Sequence, residues 1–176
     1  MIMRPGQQLL LPVNPAFLWL SLLLALGANM MLNMGGLGRA AWVPDLLAVT
    51  LVFWAVHQPQ RIGVGVAFAF GLAMDVHQGA LLGQHALAYT VMGFLATSMH
   101  RRLLWFPVPN QAVQVLPLFA VSHLLLLLAR MVAGGTFPGG LIFLAPVLEA
   151  ALWPFVSVLL LAPQRRAPNP DDTRPL

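Results

Sequence analysis

Six apolar runs alternate with short polar, proline- or glycine-rich breaks, at about residues 15–34, 43–57, 61–76, 81–99, 112–133 and 140–162. A membrane-spanning helix takes roughly 20 apolar residues, with a range of about 17–25. The first, fifth and sixth runs reach that length. The second and third are short, which leaves a re-entrant pair as an alternative to two full spans. The breaks carry turn chemistry: Gly35-Gly36-Leu37-Gly38, Gln58-Pro59-Gln60-Arg61, a glycine-spaced turn near 77–80, Pro107-Val108-Pro109-Asn110, and Gly134–Gly140 around Pro138. The pattern predicts an all-α integral membrane protein with a six-helix domain over 15–162. Residues 1–14 form a short leading segment, and the proline-rich 163–176 form a polar, disordered tail. Met1–Met34 has some signal-peptide character, but its apolar run is too long and is read as an uncleaved first helix.

Polar residues inside these runs are few and regularly placed. From Gly63, every fourth residue reads Gly63, Ala67, Gly71, Asp75. On a helix these share one face, three of them small enough for another backbone to approach and the fourth an acid that needs a partner in an apolar solvent. The first helix has its own stripe, Ser21, Ala25, Asn29 and Asn33. The fourth has Gly83, Ala86, Thr90, Gly93 and Thr97.

Composition agrees: 59% of the 176 residues are hydrophobic and 8% charged, against roughly 25% charged in soluble domains. All nine basic residues are arginine. With six spans, Arg4, Arg61, Arg101, Arg102, Arg165, Arg166 and Arg174 fall on one side, and Arg39 and Arg130 on the other. This positive-inside bias puts both termini in the cytoplasm and explains the net charge of +4 without a nucleic-acid partner. The absence of cysteine excludes disulfides and thiol chemistry.

That topology gathers the polar residues at the outer side: Asn29, Asn33, Asp45, Asp75, His77, His85, Arg130 and Glu149, the last about 13 Å deep at 1.5 Å per residue. They are candidates for a cavity or a partner contact, with the turn glycines Gly79 and Gly83. Asp45 after Pro44 reads first as a helix cap. Asp75 lies near the C-terminus of its own helix, where the dipole is unfavourable, so it either pairs with Arg39 or Arg130 or forms a ligand or partner site. Glu149 is paired to Arg130, protonated, or in a water-filled cavity. His77 and His85 beside Asp75 have no enforced metal-ligand spacing, and no metal or other cofactor is expected. His123 reads as a packing or hydrogen-bonding histidine. The tryptophans read mostly as interface anchors, Trp42 and Trp105 above all. Arg101, Arg102, Trp105 and Phe106 form a lipid-facing or partner-docking cytoplasmic loop. Neither a nucleophile elbow, a zinc-protease motif nor a phosphate-binding glycine loop occurs, so an enzyme is not expected.

Pro44-Asp45, Phe53-Trp54, Pro59 and the run Gly71-Leu72-x-x-Asp75-x-x-x-Gly79-x-Leu81-Leu82-Gly83-Gln84-His85-Ala86-Leu87 resemble the MreD family of bacterial rod shape-determining membrane proteins, as do Phe106-Pro107 and Gln111. The resemblance covers nearly the whole chain. It implies an inner-membrane scaffold of the elongasome, with MreC, MreB, RodA and its transpeptidase partner, and membrane lipid, as partners in lateral peptidoglycan synthesis. It also implies a fold similar to the S-components of energy-coupling-factor transporters. Asp45 and Asp75 match the family pattern as positions, whereas Arg130 and Glu149 rest on the physical argument alone. The alternative is an S-component-like protein that captures or transports a small molecule or lipid.

Overall fold

The computed structural model describes residues 13–34 and 40–164. Within them the chain forms six α-helices: α1 (Pro15–Met34), α2 (Leu46–His57), α3 (Val64–Gln78), α4 (Gln84–Leu104), α5 (Val108–Val132) and α6 (Leu144–Leu161). A 3-10 turn, Gly140–Phe143, leads into α6. α1, α5 and the stretch Gly140–Gln164 are long and apolar enough to cross a membrane. The glycine break at 35–38, Arg39, the leading segment and most of the tail lie outside the described residues.

The short second run has a physical explanation. α2 is apolar on every side, and all ten residues from Leu47 to Val56 are buried. A helix without a polar face belongs in a core. At 1.5 Å per residue its 12 residues rise about 18 Å, well short of a hydrocarbon core of about 30 Å. α2 is therefore the centre of the bundle, packed by α1, α4 and α6. The other helices turn apolar side chains outward, Leu24, Phe94, Leu128 and Phe155 among them, as lipid-facing surfaces do.

Two tryptophans depart from the interface-anchor expectation. Trp54 and Trp153 are fully buried, each with its indole N–H satisfied on a neighbouring helix. Trp54 Nε1 donates to Ser21 Oγ of α1 at 2.8 Å, and Trp153 Nε1 to Gln111 Oε1 of α5 at 3.1 Å. A large apolar ring with one donor packs in a core only where an acceptor meets it. Trp42 and Trp105 are exposed.

α4 also runs further than its apolar pattern, continuing through Arg101 and Arg102 to Leu104. No breaker intervenes before Pro107, and arginines in a last turn complement the helix dipole.

Candidate functional site

The connection from α3 to α4 is a close joint, with Gly79–Gly83 between the two helices. α3 ends in a Schellman motif: Ala80 N–H donates to Asp75 O at 3.1 Å, Gly79 N–H to Val76 O at 3.4 Å, and Gly79 sits at φ +59°. Gly83, at φ +101°, then starts α4. Both positive φ values favour glycine, which accounts for Gly79 and Gly83 as elements of the turn. His77 is thereby inside α3, with its ring nitrogen 3.3 Å from Met30 O.

This turn delivers the N-terminus of α4 onto Asp75. The buried carboxylate accepts from Gly83 N (2.9 Å), His85 N (2.7 Å), Ala86 N (3.3 Å) and His85 Nδ1 (2.8 Å). Asp75 thus caps the following helix: it satisfies amide N–H groups that a helix start leaves without partners, and its charge faces the positive end of the α4 dipole. The pairing expected with Arg130 is not made, and Arg39 lies outside the described residues. Gly71, one turn back on α3, makes the approach possible. A Cβ there would overlap Ala86 Cα and fall 2.6 Å from Ala86 N and 2.7 Å from His85 C. Ala67 continues the contact toward Gly93 of α4, where a Cβ would come within 3.1 Å of it. Gly63, at the start of the same stripe, has nothing near it and caps α3.

A second carboxylate node lies beside this joint. Asp45 is the N-cap of α2, accepting from Ala48 N at 3.0 Å. It also accepts from Asn29 Nδ2 of α1 at 2.9 Å and from Tyr89 OH of α4 through a short hydrogen bond. Its own N–H donates to Glu149 Oε1 of α6 at 2.9 Å. Glu149 Oε1 lies 2.7 Å from His123 Nε2 of α5. Of the alternatives for Glu149, the pair with Arg130 is not made; His123 takes that place, because His123 and Glu149 face each other across α5 and α6. Glu149 is five residues beyond the start of α6 at Leu144, and the first residues of the apolar run, Gly140–Phe143, form the 3-10 turn that precedes the helix. His85 and Tyr89 meet edge to face at 5.9 Å, linking the two nodes. All six helices therefore contribute to one largely buried cluster of polar side chains, Asp45 and His123 being partly exposed.

Of its members, Tyr89 was not singled out by the sequence reading. It is the chain's sole tyrosine and stands one turn after His85, a usable signal. Tyr89→Phe leaves one Asp45 oxygen without its partner and is expected to destabilise the protein by about 1–3 kcal/mol, read from thermal melting in mild detergent. An unchanged melt would remove the Tyr89–Asp45 bond from the set of inter-helix ties.

Above the network lies a cavity of about 860 Å³. The ends of α1, α3 and α5 and the start of α4 line it, with Asn33, His77, His85 and Arg130 among the expected residues. Asn29, Asp45, Asp75 and Glu149 are not among its lining residues. Arg101, Arg102, Trp105 and Phe106 are at the far end of α4, all exposed, Trp105 by 89%. Among the described residues no cluster of His, Asp and Glu is arranged to hold a metal.

A family model described as rod shape-determining protein MreD matches residues 12–162. The chain belongs to the MreD family. It is also similar to the rod shape-determining protein MreD of Haemophilus influenzae, 26% identical over 127 residues that cover 70% of this chain and 76% of that one. No solved structure matches it. Membership of the MreD family assigns this membrane protein a rod shape-determining role, and the Asp75 joint falls inside the matched segment.

Proposed function

We propose that this MreD-family chain is a non-enzymatic scaffold of the bacterial inner membrane, with both termini cytoplasmic. It binds MreC and couples MreB to lateral peptidoglycan synthesis by RodA and its transpeptidase partner. The observation that supports this reading is the use made of the acids within the bundle, Asp75 and Glu149 buried and Asp45 partly so. Both Asp75 oxygens and both Asp45 oxygens tie helices together, as does Glu149 Oε1; Glu149 Oε2 alone has no partner. Acids spent on architecture support a rigid body whose outer faces are the working surface. A six-helix bundle with a cavity at one end also suits an S-component-like arrangement.

The exposed Trp105, beside Arg101 and Arg102, offers one such surface. Exposed aromatic and arginine side chains are frequent anchors at protein contacts. Affinity purification of the tagged full chain from mild-detergent membranes, beside a Trp105→Ala, Arg102→Glu variant, tests the proposal. MreC and RodA should accompany the wild type, with MreB or another cytoplasmic member reduced in the variant and the cells rounded. Recovery of no cell-wall partner with the wild type would sink the scaffold reading.

The cavity supports a second reading, capture of a small molecule or lipid. An uptake assay on intact cells separates transport from capture without transport.

A further inference from the structure

Next to the large cavity runs a second, smaller one of about 260 Å³, a groove between α5 and α6. Its lining is apolar except for His123, and includes Ala120, Leu124, Phe143 and Val147. The last three are exposed, so the groove opens on the face that meets lipid. His123, Leu127 and Ile142 line both cavities. The two spaces are therefore separated by one shared row of side chains, polar on one side and apolar on the other.

The polar space has a definite charge character. Its lining contains Arg130, three histidines (His77, His85 and His123) and the amides of Gln78 and Gln84, and no carboxylate. Asp75 and Glu149 lie close by but are turned to the α4 amides and to His123. Arg130 is exposed and makes no side-chain hydrogen bond or ion pair among the described residues, whose ion pairs are His85–Asp75 and His123–Glu149. A guanidinium presents a planar fork of donors that matches phosphate oxygens, and amide N–H₂ groups add neutral donors. The cavity's volume falls in the range of ligand sites, roughly 300–1,000 Å³.

We propose that the chain holds a membrane lipid with an anionic, phosphate-type headgroup. The headgroup occupies the cavity under Arg130, and one chain lies in the α5–α6 groove past His123. A water-soluble anion would leave the apolar groove unused, and a neutral lipid would leave Arg130 without a counter-charge. The shared wall suits an amphiphile. This proposal rests on the capture reading and is independent of the scaffold reading, since it concerns the isolated chain.

The test is a thermal-shift titration of the purified full chain in mild detergent, in which a ligand that binds only the folded state raises the melting temperature saturably. The probes are short-chain phosphatidic acid, the diacylglycerol with the same chains, and inorganic phosphate. Phosphatidic acid should bind saturably, and the other two at least about tenfold more weakly. Arg130→Ala and Ala120→Trp should each weaken the phosphatidic acid by about tenfold, one by removing the charge and the other by filling the groove. Both positions are exposed, and each variant is used only if its unliganded melt matches the wild type; Arg130→Gln and Ala120→Phe are the substitutes. Equal binding of diacylglycerol would overturn the headgroup site, and equal binding of phosphate would overturn the groove. Absence of saturable binding by phosphatidic acid, or full binding by both variants, would overturn the whole proposal.

Discussion

Asp75→Ala is expected to remove at least about 3 kcal/mol of stability, a large share of the roughly 5–15 kcal/mol that holds a typical domain. The carboxylate accepts three amide N–H groups at the start of α4 and the His85 ring. Truncation leaves the buried His85 and Ala86 amides without an acceptor, and each such orphan costs about 1–3 kcal/mol. Gly71 and Ala86 are packed too closely for α4 to slide toward a new partner. Asp75→Asn retains one acceptor oxygen and the side-chain volume, so it should lose clearly less than Asp75→Ala. Thermal melting or detergent unfolding of the purified chain reads both. A melt for Asp75→Ala within about 0.5 kcal/mol of wild type, the usual range for an uninvolved surface position, would show that Asp75 does not carry the α3–α4 joint.

Gly71→Leu is expected to prevent the same joint from closing. An added Cβ overlaps backbone atoms of Ala86 and His85 rather than the end of a mobile side chain, so relief requires the two helices to separate. Even Gly71→Ala should cost about 1–3 kcal/mol by overpacking, and leucine more. Gly27 and Gly65 supply the control, because a Cβ at either meets nothing within 4 Å. Gly27→Ala in the body of α1 should be neutral or stabilise by about 0.5–1 kcal/mol, since alanine loses less backbone freedom in a helix. Yields of folded protein after mild-detergent extraction would rank the variants. Gly71→Leu recovered at wild-type level, with rod shape intact in complemented cells, would contradict close helix packing as the basis of this joint.

Read alone, the order of apolar and polar residues determined the six helices, and among the described residues most of the breaks between them. It also placed Asp75 on a small-residue face, because helical periodicity is a local property of the chain. The Gly79 and Gly83 turn was legible for the same reason. The partners of the acids were not. Asp75 lies within eleven residues of every group that it binds. Even so, its role as a cap on the next helix depends on the path of the turn, not on spacing along α3. Charge offered arginine as one partner for both Asp75 and Glu149, beside a ligand site for the first and protonation or a water-filled cavity for the second. Proximity decided for His85 and His123.

Glu149 meets Asp45 across 104 residues and His123 across 26, and no periodicity specifies which helix faces which over such separations. Burial of α2 on every side likewise had to come from the packing of its neighbours, since a short apolar run reads equally as a re-entrant segment or a core helix. Local sequence determined the faces of the helices; tertiary structure decided what each face meets, because a buried polar group takes the nearest partner that the packed backbone brings within hydrogen-bond reach.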